Sequence, residues 1–505
     1  MRNRIMTGIR LGRFVVVVAA LVFAGVGLAT WISPSHAATR FGLDPGGAPG
    51  VIALRADVGG LFIGLAVLCG TAVWTGGRIW ALAAAAMLGA IAAGRAIGWI
   101  GNGGPAGDGA DLAIEAIVIA ALALSAPRAA AADAHQAHRP RRRAPRVAIA
   151  AGLVFAAGGS LAMLNPGVQL AIFDRAARTA ASDVNTAPLA DDALRVGICG
   201  SSAPLPSAAR AKSCVAVFAG GKFYVVDAGP ESVENLVLWG IPLSQIGGVL
   251  LTHFHSDHIG DLGELNLQTW AGGRPSTLPV YGGPGVERVV EGFNEAYRLD
   301  QGYRTAHHTA RVMPPDTWAM VPKTINLAGE PTGAKDRVGL VFDDGVLRIT
   351  AIEVDHAPIA PAYAYRFDYK GRSAVVTGDL KYHASLARSA RGADVIVSEA
   401  ISLTMTRALG SGASDGGRAQ TAAIMHDIED YHVTPEQAAR IANDASAKLL
   451  VFYHLLPAPD NYLMRQIFGR GITEVRAGGW AIAEDGSLYT LPLGSGEVRI
   501  GRVRD

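Results

Sequence analysis

The sequence predicts two parts, an all-α membrane domain followed by an α/β domain with an αββα sandwich. Only 17% of the 505 residues are charged, whereas soluble domains average about 25%. Residues 1–170 carry 14 Arg, no Lys and 6 acidic residues, whereas the remainder carries 31 basic and 37 acidic residues. From Ala193 onward, short apolar runs alternate with helical segments. We therefore expect a transmembrane domain over 1–165, a linker over 166–192 and a soluble domain over 193–505.

Five apolar stretches in the N-terminal part approach the length of a bilayer-spanning helix, which is about 20 residues. They are Phe14–Ile32, Val58–Thr75, Ile79–Ile100, Leu112–Ala126 and Val147–Leu164. The Arg-rich segment Pro127–Arg146 predicts a cytoplasmic loop, because positive loops stay inside. This orientation predicts a multi-pass protein of the bacterial inner membrane, in contact with the lipid bilayer and with an extracytoplasmic soluble domain. An alternative for the first stretch is a signal peptide cleaved after Ala37.

A short motif over Leu54–Gly60, together with Gly94 and Arg95, gives this region a resemblance. It is similar to a small family of four-helix bacterial membrane proteins of uncharacterised function. The resemblance covers about residues 10–126 and implies no chemistry.

The pattern of the soluble part indicates strands packed between helices. Strand-like runs cover 194–198, 214–219, 223–226, 249–251, 339–342, 346–354, 362–369, 373–377, 395–397 and 449–453. Helical patterns cover 232–239, 262–270, 285–297, 380–390 and 435–445. The last begins with Thr434, Pro435 and Gln437, the pattern of a capping box. The pattern begins with strands and continues with strands that alternate with helices. This order predicts two inner sheets with helices outside.

Three histidines and one aspartate lie within six residues after the apolar run 249–251, at His253, His255, Asp257 and His258. Imidazole and carboxylate groups are preferred ligands of Zn²⁺. His253 and His255 are two residues apart, so on an extended segment both side chains point to the same side. The alternative, a surface histidine cluster, does not explain a position at the end of a buried strand.

This His-x-His-x-Asp-His motif resembles the signature of the metallo-β-lactamase superfamily. Phe223–Gly229 is similar to the strand and Asp-x-Gly turn that precede that signature, and three later residues match the remaining ligand positions in order: His356, Asp379 and His454. The resemblance covers about residues 193–492. It implies the αββα fold and a site for two metal ions.

The resemblance also implies a role for each residue. One Zn²⁺ would be bound by His253, His255 and His356, and the other by Asp257, His258 and His454. Asp379 would bridge the two ions, with Mn²⁺ or Fe as alternative metals. Asp227 would orient the histidine loop through hydrogen bonds, or would be a turn residue before Gly229.

Two further segments resemble particular branches of the superfamily. Residues 197–206 are similar to the opening loop of tRNA 3′-processing nucleases and arylsulfatase-like proteins, and residues 430–439 to a His-x-Thr/Ser-Pro-Glu segment of the arylsulfatase-like group. His432 would then donate a proton to the leaving oxygen, and Glu399 would orient His432 or support the metal site. A helix-cap histidine and a structural glutamate are the alternatives.

These features predict a membrane-anchored dizinc hydrolase in which Asp257 and His432 are catalytic. A metal-bound hydroxide would attack a small-molecule sulfate or phosphate ester, as in arylsulfatase-like enzymes. The excess of acidic residues after residue 170 argues against a nucleic-acid partner. The alternatives are a phosphodiesterase of the tRNA 3′-processing type and a non-catalytic metal-binding sensor. Cys199 and Cys214 form a disulfide or stay as two buried thiols.

Overall fold

The chain forms two compact units, Met1–Asp174 and Arg175–Asp505. The computed structural model describes residues 2–34, 51–52, 54–75, 77–101, 116, 118–120, 122, 166–327 and 337–504.

Almost all described residues of the first unit are helical. Its helices are α1 (Arg2–Ile32), α2 (Gly60–Thr75, preceded by a π-helical turn over Leu54–Gly59), α3 (Arg78–Gly101) and α4 (Pro166–Ser182), which continues into the second unit. Helix α1 packs against α2, with the rings of Phe23 and Phe62 6.0 Å apart. The contact is apolar, as both helix sequences are.

Two helical segments of the described residues are long and apolar enough to cross a membrane, Val15–Ile32 and Leu54–Thr75. Within the described residues, two of the five predicted spans are therefore matched by such helices. The third predicted span lies on α3, of which the described apolar stretch is Ile79–Ala93. The predicted fourth span, over 112–126, lies mostly outside the described residues, and the fifth, over 147–164, lies wholly outside them.

The second unit contains two sheets. Its strands are β1 (Ala193–Gly200), β2 (Cys214–Ala219), β3 (Lys222–Val226), β4 (Ile246–Leu250), β5 (Leu278–Gly282), β6 (Met320–Thr324), β7 (Val338–Asp343), β8 (Leu347–His356), β9 (Ile359–Tyr369), β10 (Arg372–Val376), β11 (Val395–Ile401), β12 (Leu449–Leu456), β13 (Trp480–Ile482), β14 (Ser487–Pro492) and β15 (Arg499–Arg502). One sheet has the order β15-β14-β1-β2-β3-β4-β5-β6 and the other the order β13-β12-β11-β10-β9-β8-β7. Strands β3 to β6 run parallel to one another, as do strands β10 to β13.

Helices cover the outer faces of both sheets. They are α5 (Ser232–Leu238), α6 (Ser256–Ile259), α7 (Leu262–Ala271), α8 (Val286–Ala296), α9 (Arg298–His308), α10 (Leu386–Ser389), α11 (Leu403–Asp415), α12 (Ala419–Asp427), α13 (Pro435–Asp444), α14 (Tyr462–Phe468) and α15 (Ile472–Val475). One apolar cluster lies between the sheets, and a further cluster lies between each sheet and its helices. The predicted αββα sandwich is confirmed.

Local sequence signals explain several of these boundaries. Gly220 and Gly221 both have positive φ and join β2 to β3 in a tight hairpin, which glycine adopts without steric cost. Helix α13 begins with the predicted capping box, in which Thr434 and Gln437 exchange backbone and side-chain hydrogen bonds of 2.9 and 3.3 Å. The glycine hairpin and the capping box fix the direction of the chain on either side of the candidate site.

Candidate metal centre

The predicted site residues meet where the parallel strands of both sheets end. Asp227 directly follows β3, the segment from His253 to His258 follows β4, and Asp379 follows β10 shortly after that strand. The other residues lie on neighbouring elements: His356 ends β8, Glu399 lies in β11, His432 precedes α13 and His454 lies in β12. The carboxyl ends of parallel strands commonly form such a crevice. The structure brings all ten predicted residues into one cluster.

The first ligand group consists of His253, His255 and His356 together with Asp379, whose ligand atoms all lie within 4.8 Å of one another. Nε2 of His253 is 3.0 Å from Nδ1 of His255. Tetrahedral ligands around zinc are separated by about 3.3 Å, given zinc–nitrogen distances of about 2.0–2.1 Å. This convergence of imidazole nitrogens suits a divalent ion.

The second ligand group consists of Asp257, His258 and His454, also within 4.8 Å. Nε2 of His454 lies 3.2 Å from both Nε2 of His258 and Oδ2 of Asp257. His454 has a positive φ of 42° and lies at a register shift between β11 and β12. Such a bulge redirects a side chain out of the strand's regular alternation, and here it turns the imidazole toward the other two ligands.

Asp379 lies between the two groups. Its Oδ2 atom is 3.9 Å from Nε2 of His253 and 3.5 Å from Nε2 of His258, and its Oδ1 atom is 3.3 Å from Nδ1 of His454. Burial opposes ionisation of Asp379, but His454 and His258 outweigh that effect and hold the pKa of Asp379 well below its ordinary value. A charged carboxylate in this position can contact ions of both groups.

Several buried polar atoms of the cluster make no hydrogen bond of suitable geometry within the described part of the chain, although two of them lie near each other. They are Nε2 of His356, Oδ1 of Asp379 and Nδ1 of His454. Leaving a buried polar atom unpaired costs about 1–3 kcal/mol. The unpaired atoms belong to histidine and aspartate, which are preferred ligands of Zn²⁺. The donor set therefore fits bound divalent metal.

Backbone and side-chain acceptors orient the ligand rings. Oδ2 of Asp227 is 2.8 Å from Nδ1 of His258, so the opposite ring nitrogen of His258 faces the centre. Nδ1 of His356 donates in the same way to the carbonyl oxygen of Tyr431 at 2.9 Å. Hydrogen bonds of this kind fix the tautomer of a ligating histidine.

His432 and Glu399 form a buried pair beside Asp379. Nδ1 of His432 is 3.0 Å from both carboxylate oxygens of Glu399 and 3.9 Å from Oδ2 of Asp379. Burial lowers the pKa of His432, but the adjacent Glu399 carboxylate outweighs this effect and raises it above its ordinary value. Glu399 also accepts a hydrogen bond of 3.0 Å from the backbone of Leu380, the residue after Asp379.

Sequence reasoning missed two residues of the site. Tyr431 supplies the carbonyl for His356, and its ring lies 5.0 Å from the His356 ring and 4.5 Å from the His432 ring. Thr252 donates its backbone and hydroxyl hydrogens to Asp227, both at 2.8 Å. Both missed residues are direct sequence neighbours of predicted site residues, which is the only sequence signal that marks them.

A segment of the second unit matches a known family. Residues 223–455 match the model described as a β-lactamase superfamily domain. Ribonuclease Z of Mycolicibacterium gilvum (strain PYR-GCK) is 32% identical over 267 residues, which are 52% of this chain and 85% of that protein. Ribonuclease Z of Mycobacterium avium (strain 104) is 32% identical over 268 residues, which are 52% of this chain and 87% of that protein. The similarity therefore extends over most of each ribonuclease.

Solved structures with similar folds include a metallo-β-lactamase fold protein from Bacillus subtilis and the short form of human tRNase Z. The first is 21% identical, with a TM-score of 0.41, and covers 59% of this chain and 100% of that chain. The second is 20% identical, with a TM-score of 0.42, and covers 59% of this chain and 99% of that chain.

Proposed function

The chain belongs to the metallo-β-lactamase superfamily and is a metal-dependent hydrolase, and from this premise we propose that it hydrolyses phosphodiester bonds in RNA. The activity would be of the tRNA 3′-processing type. The observation that carries the proposal is the position of Asp379 between two ligand groups, with the His432–Glu399 pair beside it. Two metal positions and one acid suit the displacement of an oxygen from a phosphoryl group.

The prediction that the protein has no nucleic-acid partner was wrong. The relatives that share 32% identity with this chain are ribonucleases. Net charge did not predict the binding partner, because it is an average over a whole domain. A substrate phosphate interacts mainly with the charges close to it. Two divalent ions would be the largest charges in this site and would offset the charge of its four carboxylates locally. We therefore replace the arylsulfatase-like interpretation with the alternative, a nuclease of the tRNA 3′-processing type.

We propose that the two ligand groups hold two zinc ions, with Asp379 between them. His253, His255 and His356 would hold one ion, and Asp257, His258 and His454 the other. When bound, the ions activate a water molecule and stabilise negative charge that develops on oxygen. Asp227 would keep the His258 ring in its ligating orientation.

His432 would supply the proton that the leaving oxygen needs. Glu399 holds Nδ1 of His432 at 3.0 Å, which leaves the other ring nitrogen for the substrate. The raised pKa of His432 favours the protonated imidazole required of a general acid. The burial of the pair keeps bulk water away from this proton.

We further propose that the N-terminal helices anchor the hydrolase to the membrane, with the hydrolase domain outside the cytoplasm, where its substrate would be an RNA on that side of the membrane and not a precursor tRNA. Support comes from the two apolar helices, from the Arg-rich segment 127–146 and from the disulfide between Cys199 and Cys214, a bond that persists in oxidising compartments. A reporter fused after Asp505 that works only when exported should be active. Activity of a cytoplasm-only reporter at the same position would contradict the orientation.

Substrate specificity tests the proposed activity on the full-length chain in detergent, loaded with zinc. The substrates are an RNA hairpin with a 3′ extension, bis(4-nitrophenyl) phosphate and 4-nitrophenyl sulfate. We expect cleavage of both phosphodiesters, loss of that cleavage in Asp257→Asn, and unchanged cleavage in the control Asp415→Asn, which alters an exposed carboxylate. Hydrolysis of the sulfate alone would contradict the proposal.

A further inference from the structure

A disulfide closes a loop beside the metal centre. Cys199 near the end of β1 and Cys214 at the start of β2 are bonded, with their Cα atoms 5.0 Å apart and both side chains fully buried. The enclosed residues, 200–213, form what we call the stapled loop. Its two ends leave the disulfide side by side and contact different parts of the site.

One end of the stapled loop contacts the strand that carries His454. The backbone N–H of Leu455 donates to the carbonyl of Ser201 at 2.9 Å, and Ser202 forms a β-bridge with Leu455. Leu455 is the residue directly after His454, whose own backbone is in the left-handed region. The position of Ser201 therefore helps to set the direction of the His454 imidazole.

The other end of the stapled loop contacts the segment that supports Asp257 and His258. The backbone N–H of Gly229 donates to the carbonyl of Ser213 at 3.0 Å, and the neighbouring Ala228 donates to the carbonyl of His258 at 2.7 Å. Contact at Gly229 is so close that a Cβ atom there would lie 2.1 Å from the carbonyl oxygen of Asp257. A shift of Ser213 would therefore displace both Asp257 and His258.

The first ligand group has no comparable support from this loop. Within residues 166–327 and 337–504, no hydrogen bond of the stapled loop involves His253, His255, His356 or the residues adjoining them. The loop thus contacts the supports of one metal position and not of the other.

Contacts within and around the stapled loop do not depend on the disulfide. The Asp485 carboxylate accepts hydrogen bonds from the backbone of Ser201 and of Ala211, at 2.9 and 2.7 Å, and Arg210 donates to Asp460 at 2.8 Å. Loss of the disulfide should therefore loosen the two ends of the loop without unfolding the domain.

We propose that the Cys199–Cys214 bond controls the metal position formed by Asp257, His258 and His454, which holds its ion tightly only while the disulfide is intact. A dithiol would reverse the control: it gives two electrons and two protons to the S–S bond, which breaks into two thiols, and the dithiol closes into its cyclic disulfide. The inference rests on the metal centre of the proposed function but not on its substrate.

Zinc binding tests the inference on the full-length chain in detergent. Bound zinc per chain is measured over a series of buffered free Zn²⁺ concentrations for the oxidised protein, for protein reduced with dithiothreitol and desalted anaerobically, and for the double variant Cys199→Ala/Cys214→Ala. We expect one of two binding steps to weaken by about tenfold or more, as when a supporting contact of a metal ligand is lost, and the other step to stay unchanged. The control is Cys69→Ser, which removes the remaining cysteine.

The affected position is identified with Asp257→Asn, which should lack the redox-sensitive step, so that reduction changes its zinc binding no further. Unchanged binding in both the reduced protein and the double variant would overturn the inference, as would a redox effect that persists in Asp257→Asn. Three free thiols in the oxidised protein would overturn it as well. If the double variant does not fold, which its thermal unfolding curve reveals, the reduced wild type gives the same comparison. Since zinc is counted directly, failure of RNA cleavage would not affect the result.

Discussion

Oδ2 of Asp227 and Nδ1 of His258 lie 2.8 Å apart, and neither side chain is exposed to solvent. Asp227 adopts a positive φ of 59° and also accepts two hydrogen bonds from Thr252. A non-glycine residue in this region of φ is uncommon and is found at positions that the surrounding structure constrains. Asp227 thus holds the His258 ring in place on the side away from the metal centre.

Asp227→Asn should weaken zinc binding at the position of His258. The amide keeps the size of the side chain but removes the negative charge that orients and polarises the imidazole, so we expect a loss of about 10- to 100-fold in affinity. Zinc titration against a competing chelator measures this change. The matched variant Asp344→Asn, in an exposed turn, should bind zinc as the wild type does, and equal affinities for all three proteins would contradict the role.

The sequence predicted which residues come together at the site, because each candidate ligand ends or follows an apolar run. The side chains of His253, Asp379 and His454 converge because parallel strands bring their carboxyl ends together, a property that the strand pattern already implies. Tyr431 was missed because its contribution to His356 is a backbone carbonyl, which any residue type can provide.

The structure also contains a helix, α11, that the local amino-acid composition does not predict. Residues 410–417 are rich in Gly and Ser, a composition typical of loops, yet α11 extends to Asp415 and packs against α12. Glycine disfavours helix by about 1 kcal/mol relative to alanine, so tertiary contacts override the local preference. Gly410 shows how, because its missing side chain leaves room for Met425 of α12, whose Cβ would lie 3.2 Å from an added Cβ.

Asp379→Ala and Asp257→Ala should differ in the number of zinc ions that the chain retains. Asp379 lies near ligand atoms of both groups, whereas Asp257 belongs to one group only. We expect Asp257→Ala to lose one ion and Asp379→Ala to weaken both. Elemental analysis after dialysis at fixed free Zn²⁺ measures the stoichiometry, and retention of one tightly held ion by Asp379→Ala would exclude a bridging position.

In the metal-free protein, His356 should contribute a loss of stability as the pH falls from 7 to 5. Burial lowers the pKa of His356 to about 4, from a value of 6.5 in the unfolded chain. The unfolded state therefore takes up a proton on this residue below about pH 6.5, while the folded state resists it until about pH 4. At pH 5 this single group should reduce the free energy of unfolding by about 2 kcal/mol relative to pH 7.

The contribution of His356 is isolated with His356→Gln, which keeps a polar side chain but does not titrate. Urea denaturation of the metal-free full-length chain, followed by tryptophan fluorescence, gives the free energy of unfolding of both proteins at pH 7 and at pH 5. The wild type should lose about 2 kcal/mol more than the variant between these values. Equal losses would show that His356 has an ordinary pKa in the folded protein.

His432→Ala should slow the hydrolysis of RNA far more than that of bis(4-nitrophenyl) phosphate. The ribose oxygen that leaves from RNA is strongly basic and needs a proton, whereas 4-nitrophenolate leaves without one. General acids contribute about 10²- to 10⁴-fold, so kcat for RNA should fall by about that factor while kcat for the aryl ester changes little. Glu399→Gln should show the same selectivity in weaker form, because it retains contacts to His432 but loses the charge that raises the His432 pKa. If both substrates slow equally in His432→Ala, with the zinc content unchanged, His432 acts by shaping the site and not by transferring the proton.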